Sequence, residues 1–468
     1  MKFKKYGKAL LMSALSVGVI LSITSCAQSF TVGFLYVTGT VTSGSNGNGY
    51  IAGFRIDHNT GKLTPINGLN PPVSSGGANP VRALLLGQSR FVYVLNQGIS
   101  DNPAGSSICT FAFPCKNSNI TEFEVGANGV LTPQQTFYSQ GTNPFRMLGD
   151  SSGNYLFVLD HDSPDNYNPT ESVNANGCAQ ALNGALTCGD ITVFSINSDT
   201  GRLSLIENKQ VQVTTTASGT QNLTYFPVPA NALDFAFTGS NVMTLYGTPT
   251  TGDTVFPYGY NSSTGQLTIT TSGLSVPISS NPIYQATALV SAGNYLWVLS
   301  NDPLTATVNG TSTISQSQII PNSVASGGSL SPTPSGPIQD DTNQSNPVFL
   351  VVESKGTRFY VANQGVPKAD STLPLSGVAG WIMNTPFLPT EISPQLSFGA
   401  GAGPVCMVED PSDQFFYTAN SDAQTVTGQV LDQISGVLTP LNQSSKVPSD
   451  YALNGPPTWC LVDGRISN

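Results

Sequence analysis

A turn of the form Gly-x-Leu-(Thr/Ser) recurs along this chain, and its spacing restricts the fold more than any other feature of the sequence. The leucines of successive copies lie about 62 residues apart on average, which indicates a fold built from repeated supersecondary units. The copies begin at Gly61, Gly129, Gly201, Gly265, Gly328 and Gly436, with a degenerate copy at residues 386–389.

Each repeat contains four runs with the composition of β-strands. An alternating run such as residues 51–56 precedes the Gly-x-Leu turn, and Gly with Asn or Asp between two such runs is a hairpin signal. A second block has an x-Pro step, an apolar run, a short turn and an aromatic run, as in residues 79–95. We name the four strands A (after x-Pro), B (aromatic), C (alternating) and D (after Gly-x-Leu).

The strands at the two chain ends predict a closed ring. The chain opens in strand B at residues 34–37 and closes in strand A at residues 457–462. We therefore predict an all-β fold, a seven-bladed β-propeller of four-stranded antiparallel blades, in which the C-terminal A strand joins the N-terminal B, C and D strands. Closure removes the exposed edges of a linear array. A pair of β-sandwiches is the alternative, but it does not explain why the first and last strands differ.

The first 26 residues predict where in the cell the protein is located. Four lysines precede an apolar run at residues 9–23, which is short for a spanning helix, and residues 23–26 resemble a bacterial lipobox ending in Cys26. We predict a lipoprotein signal peptide at 1–26, a linker at 27–33 and one propeller domain at 34–468. An ordinary signal peptide with a chance cysteine is the alternative. Ala27 favours the outer membrane, so we expect a lipid-anchored cell-envelope protein that faces the periplasm or the cell surface.

The charge balance excludes one class of partner. Charged residues make up 9% of the chain, and removal of the four signal-peptide lysines takes the formal net charge from −10 to about −14. Binding of nucleic acid requires a basic patch that neutralises phosphates, so we expect no nucleic-acid partner. We expect a monomer that contacts the membrane through its lipid anchor only.

Loop lengths predict which face binds ligands. The A–B and C–D turns are tight, whereas B–C and D–A connections such as residues 96–119 and 160–190 are long. In an up-and-down blade the long connections fall on one face, and long loops on a rigid scaffold usually carry binding. We call this the long-loop face and the opposite one the short-turn face.

Six cysteines remain after Cys26, and an even number in an exported chain indicates disulfides. Six cysteines allow 15 pairings. We favour pairing within two B–C loops and between matching positions of two adjacent A strands. These pairs are Cys109 with Cys115, Cys178 with Cys188, and Cys406 with Cys460.

Three aromatic B strands share one pattern: FLYVT at 34–38, FVYVLN at 91–96 and FYVAN at 359–363. This pattern resembles the YVTN-type repeats of the lactonase family of seven-bladed propellers, which includes 6-phosphogluconolactonase-like proteins and carboxy-muconate cyclases. The resemblance covers nearly the whole mature chain and implies hydrolysis of a sugar-acid lactone. Family enzymes often carry Gly-Pro-Arg-His where an inner strand begins. The matching residues 79–82 and 143–146 keep the arginine one position later and lack the histidine.

Two arginines are candidate ligand-binding residues. Arg82 and Arg146 occupy equivalent places near the start of adjacent A strands, which line the central channel of a propeller. A guanidinium suits a carboxylate or phosphate, so we predict that they bind a small anionic, sugar-like ligand. An ion pair between blades, or a turn contact, is the alternative role.

A second candidate site lies where a B strand ends on the long-loop face. His161 and Asp160 are the candidate catalytic residues there, because either group can accept a proton from water. Asp160, Asp162 and Asp165 are candidate ligands of a divalent cation, although the sequence requires no cofactor. A solvated acidic loop is the alternative.

Two functions of different classes remain open. The first is a lactonase-like hydrolase, in which the arginines bind the anionic group and His161 or Asp160 activates water. The second is a non-catalytic cell-envelope propeller that binds a glycan, a peptide or a protein through its long-loop face. The missing family histidines and the export signal favour the second function, and the family resemblance favours the first.

The variant Cys26→Ser tests the predicted address. Because the lipid is attached to the cysteine that ends the lipobox, this variant should lose globomycin-sensitive processing and disappear from the membrane fraction. Cell fractionation with and without globomycin measures both effects. A wild-type protein that is soluble and begins at another residue would contradict the prediction.

Overall fold

The structure is a computed structural model of the chain. It describes residues 30–41, 48–103, 109–110, 112–164, 176–182, 185, 187–215, 219–230, 232–248, 252–269, 276–277, 285–292, 295–301, 307–308, 311–312, 317–325, 327–341, 344–365, 376–384, 387–399, 402–441 and 448–464. Cys26 and Asp165 lie outside these residues.

Seven antiparallel sheets form the blades of a β-propeller, as the sequence predicts. In blade order, the inner A strands are Pro457–Asp463, Pro80–Leu86, Thr142–Gly149, Ala232–Thr238, Gln285–Ala292, Pro347–Val352 and Pro404–Glu409. The B strands are Thr31–Thr40, Phe91–Asn96, Tyr155–Asp162, Asn241–Thr248, Tyr295–Asn301, Arg358–Asn363 and Phe415–Asn420.

The two outer strands complete each blade. The C strands are Asn48–Asp57, Asn119–Val125, Cys188–Ile196, Gly252–Tyr260, Gln318–Val324, Ser376–Ile382 and Thr425–Leu431. The D strands are Leu63–Pro65, Leu131–Phe137, Leu203–Leu205, Leu267–Ile269, Leu330–Pro332, Thr390–Glu391 and Leu438–Pro440.

The ring closes in blade 1, where the last strand of the chain meets the first. The A strand Pro457–Asp463 pairs antiparallel with Thr31–Thr40, with Val462 opposite Leu35 and Cys460 opposite Val37. The predicted closure is therefore confirmed, and every A strand is paired on its outer side.

The outer edge of most blades differs from the predicted single D strand. In six blades the D strand is short, and the D–A connection returns to pair with the other end of the C strand. These extra strands are Val73–Ala78, Phe226–Pro229, Val276–Pro277, Ile338–Gln339, Leu396–Gly399 and Asp450–Ala452. The two pieces together cover the C strand, which would otherwise present an unpaired edge.

The apolar core lies between blades. Leu35, Val37 and Phe54 of blade 1 pack in one cluster with Phe415 and Ala419 of blade 7, and similar clusters fill the other blade junctions. One blade cannot bury its own faces, so stability depends on the complete ring.

The two sequence repeats contact each other across blade junctions. At four junctions a B-strand tyrosine donates its hydroxyl hydrogen to the carbonyl of the Gly-x-Leu glycine in the next blade. Tyr417 and Gly61, which join blade 7 to blade 1, are 2.7 Å apart. Gly61 has a φ of 66°, and a Cβ there would lie 2.5 Å from Phe415, so only glycine fits the turn. The other three pairs are Tyr36 with Gly129, Tyr93 with Gly201, and Tyr360 with Gly436.

The additional elements of the described chain lie in the B–C and D–A connections of the long-loop face. They are the helix Gly177–Ala181 and three two-stranded sheets, which pair Ile99–Ser100 with Cys115–Lys116, Asn208–Thr215 with Gly219–Leu223, and Thr307–Val308 with Thr311–Ser312. None of the helices in the described residues has the length and apolarity needed to cross a bilayer.

Three disulfides are present, with the pairings that the sequence favours. Their Cα–Cα distances lie between 5.2 and 5.9 Å, which is the usual range. The first two each link residues within one B–C connection, in blade 2 and in blade 3, and the third joins the A strands of blades 7 and 1. The pairs are Cys109–Cys115, Cys178–Cys188 and Cys406–Cys460.

The variant Tyr417→Phe tests the contact that joins the last blade to the first. It removes a buried hydroxyl and leaves the Gly61 carbonyl unpaired, so the free energy of unfolding should fall by about 1–3 kcal/mol. Urea denaturation measures this change. Tyr138→Phe is the control, because the Tyr138 side chain is 64% exposed. Equal stability of both variants would show that the hydrogen bond contributes nothing to closure.

Candidate functional site

Seven residues, one from each A strand, lie at the same level around the central channel. In every blade the register between strands A and B shifts just before this residue, which marks a β-bulge. A bulge redirects the side chain that follows it. We call these residues the channel ring; in blade order they are Trp459, Arg82, Arg146, Asp234, Ala288, Phe349 and Cys406.

Three ring residues form an arginine–aspartate cluster. Arg146 Nε lies 3.2 Å and Arg82 Nη2 lies 3.6 Å from the same oxygen, Asp234 Oδ1. The Asp234 side chain is 3% exposed, and its second oxygen accepts the Leu289 backbone N–H at 3.0 Å. The two predicted arginines are therefore brought together by an aspartate that the sequence did not single out. The ion pair between blades, weighed as the alternative role, is present.

The cluster keeps an excess of positive charge. Burial lowers the pKa of Arg82 to about 9, with a contribution from the Arg146 charge, while Asp234 opposes the shift. Arg82 is thus still protonated at neutral pH, and two guanidinium groups face one carboxylate. The Arg82 Nε atom is buried and has no hydrogen-bond partner among the described residues. A buried donor of this kind is costly unless an acceptor reaches it.

Two aromatic residues of the channel ring extend the contacts of the arginine–aspartate cluster across the channel. The Arg82 guanidinium carbon lies 3.6 Å from the centroid of the Trp459 ring, which is a cation–π contact. The Trp459 ring in turn meets Phe349 edge to face, with centroids 5.0 Å apart. Contacts therefore run without a break from Phe349 in blade 6 to Asp234 in blade 4.

A cavity of about 300 Å³ adjoins the channel ring inside the central channel. Arg82, Asp234 and Trp459 line it at the level of the ring. Gly149 and Ser291, which lie near the A–B turns, line it on the side of the short-turn face. The cluster thus sits beside an internal space large enough for a small ligand.

His161 lies beside the cluster but does not line the cavity. Its ring stacks on Phe145, with centroids 3.6 Å apart and an angle of 4° between the planes. Burial lowers the pKa of His161 to about 4, and the positive charge of the neighbouring Arg146 adds to the shift. The imidazole is therefore neutral at pH 7, and its proton affinity is weak for a general base.

Asp160 occupies a position that the blades share. It lies opposite Pro144, and Asn96, Asn363 and Asn420 lie opposite the equivalent prolines in three other blades. These asparagines are buried and bond to neighbouring segments: Asn96 Nδ2 donates to the carbonyl of Ser75 in the D–A connection between blades 1 and 2, for example. The Asn96 bond holds the D–A connection to strand B, whereas Asn420 Nδ2 donates to Thr427 Oγ1 of strand C at 2.8 Å.

The environment of Asp160 favours an uncharged carboxyl group. Burial raises the pKa of Asp160 well above its usual range; the hydrogen bond from Ser139 opposes this shift, and the charge of Asp162 adds to it. Ser139 Oγ donates to Asp160 Oδ1 at 2.8 Å, while Asp160 Oδ2 is buried without a partner among the described residues. A protonated Asp160 can occupy the place of an asparagine, so we interpret it as part of the blade's internal structure.

The predicted cation site remains a prediction. Asp162 Oδ2 accepts a hydrogen bond from Asn143 Nδ2 at 2.6 Å, and Asp165 lies outside the described residues. Within the described ranges no group of three His, Cys, Asp or Glu residues is arranged to hold a metal.

Comparisons with known proteins found no matching family model and no matching curated protein. Solved structures do match. A "putative 6-phosphogluconolactonase" from Bacteroides fragilis has 16% identity and a TM-score of 0.56, covering 92% of this chain and 98% of that one. Another from Bacteroides uniformis has 13% identity and a TM-score of 0.57, covering 92% and 99%.

A third similar structure is a hypothetical selenium-binding protein from Sulfolobus tokodaii. It has 10% identity and a TM-score of 0.56, covering 94% of this chain and 96% of that one. At these identities the three likenesses concern the propeller fold alone, because one fold carries many functions.

The variant Asp160→Asn tests whether Asp160 is structural. The folded-state pKa of Asp160 is raised above the unfolded value of about 3.9, so ionisation destabilises the fold increasingly as the pH rises above about 4. Asparagine does not ionise, so the variant should be at least as stable as wild type at pH 8, and the difference should shrink at pH 5. Thermal unfolding across this pH range measures it.

Asp150→Asn is the matched control for this experiment. Asp150 Oδ1 accepts the backbone N–H groups of Asn154 and Tyr155, both at 2.9 Å, so loss of its charge should lower stability at pH 8. A large loss of stability in Asp160→Asn at every pH would show that Asp160 acts as a carboxylate.

Proposed function

We propose that this protein is an exported propeller that binds a small organic anion at the arginine–aspartate cluster of its central channel. The observation that carries the proposal is the cluster itself, in which two guanidinium groups share one carboxylate and the buried Arg82 Nε has no partner among the described residues. A ligand carboxylate would supply the missing negative charge, through the part of the Arg82 guanidinium that lines the cavity.

The electrostatic setting supports a small ligand rather than a large one. The chain as a whole has a formal net charge of −10, so its field repels polyanions. The excess positive charge of the cluster acts over a few ångströms in a buried site where screening is weak. A single carboxylate or phosphate group in the channel fits both conditions.

Export is the second part of the proposal. The lysine-rich start, the apolar run and Cys26 of the lipobox support a lipoprotein held at the cell envelope, with the outer membrane favoured. The three disulfides support a location outside the cytoplasm, because such bonds persist in oxidising compartments.

Hydrolysis of a sugar-acid lactone is the second candidate function. Its support is the likeness in fold to the two Bacteroides structures, together with the presence of His161 near Arg146. In this hypothesis the arginines bind the acid group and the neutral His161 accepts a proton from water. Against it, the described residues that line the cavity include no histidine, and the Phe145 ring covers one face of the imidazole.

Calorimetric titration at low salt tests the proposed binding. Replacing Arg82 by Gln removes a charged hydrogen bond worth about 1.5–3 kcal/mol, so affinity for small carboxylates should fall about 10- to 150-fold. Added salt should weaken binding by the wild-type protein. Arg90→Gln is the matched control, because Arg90 lies in an A–B turn with a side chain 42% exposed.

Asp234→Asn separates binding from structure. It removes the carboxylate that competes with the ligand but keeps an oxygen for the Leu289 N–H, so anion affinity should rise. Unchanged affinity in both the Arg82 and the Asp234 variants would overturn the proposal. Turnover of lactones by the wild-type protein, lost in His161→Gln, would favour the second candidate instead.

A further inference from the structure

We infer that the anion bound at the arginine–aspartate cluster has an apolar body, as in an aromatic or medium-chain monocarboxylic acid, and is not a polyhydroxylated sugar acid. This inference rests on the proposed function and specifies the class of ligand. Its basis is the chemistry of the cavity that adjoins the cluster.

Most of the side chains that line the cavity are hydrocarbon. On the short-turn side of the channel ring they include Leu84 of blade 2, Leu148 of blade 3, Phe237 of blade 4 and Val290 of blade 5. Among the lining residues of the described chain, Ser291 alone carries a hydroxyl group. A sugar acid has a hydroxyl on nearly every carbon, and each one buried here without a partner would oppose binding.

The charged side chains of the cavity lie at one end. Arg82 and Asp234 belong to both the cluster and the cavity lining, so the charged group of a ligand would lie at the ring. One face of the Trp459 ring is already covered by the Arg82 guanidinium at 3.6 Å. A ligand would therefore meet a charged head site and, beyond it, an apolar chamber.

The cavity is large enough for such a body. A volume of about 300 Å³ is within the range of small-molecule sites. Transfer of such a body from water into the chamber is favourable, in proportion to the apolar area buried.

A ligand series on the wild-type protein tests the inference without any risk to folding. Calorimetry at constant low ionic strength would compare 3-phenylpropionate, acetate and gluconate, which share one carboxylate but differ in the body. We expect 3-phenylpropionate to bind at least tenfold more tightly than acetate and gluconate, with a negative heat-capacity change. 3-Phenylpropanol, which lacks the charge, should bind more weakly than the acid.

The variant Leu84→Gln adds a polar group to the wall. It should weaken the affinity for 3-phenylpropionate severalfold and leave the affinity for acetate unchanged. Binding of acetate by the same sample shows that the fold is intact. Equal affinity for the three acids, or tighter gluconate, would overturn the inference and leave the proposed function standing. Absence of binding by all three acids, or equal binding of the alcohol, would overturn the proposed function and the inference with it.

Discussion

The hydrogen bond from a B-strand tyrosine to the glycine carbonyl of the next blade's C–D turn is the contact on which the ring depends. It joins the two motifs that repeat along the sequence, and at Tyr417 and Gly61 it links residues 356 positions apart. The glycine is required because the turn has a positive φ and packs against an aromatic ring of the preceding blade. At four junctions this bond positions one blade against the next, and apolar clusters fill the space between the blades.

Ring closure determines what the channel contains. All seven A strands face a common axis, and a bulge near the start of each strand presents one residue at the same level. Most of the ring residues are apolar or aromatic, so the charged ones are concentrated in blades 2, 3 and 4. This geometry places the Arg82 and Arg146 guanidinium groups close together, and the Asp234 carboxylate offsets their repulsion by contacting both.

The same geometry separates the candidate binding site from the candidate catalytic residues. The cluster lies in the channel beside an apolar cavity, whereas His161 stacks on Phe145 and Asp160 is buried inside blade 3. Asp160 is better explained by the asparagines that take its place in three other blades than by catalysis. The structure therefore favours binding of an anion over hydrolysis, because the two arginines and the aspartate already contact each other beside the cavity.

The sequence by itself determined the fold, because the repeat of strand and turn signals and the mismatch between the first and last strands allow little else. It also identified Arg82 and Arg146, since each lies two residues after the proline of an x-Pro step. Asp234 was not identified because blade 4 has Ala232 where five other blades have that proline, and the aspartate lies 88 residues from Arg146. Only the packing of blades 2, 3 and 4 around the axis brings the three together, because the bulge in each A strand places its residue at the same level of the channel.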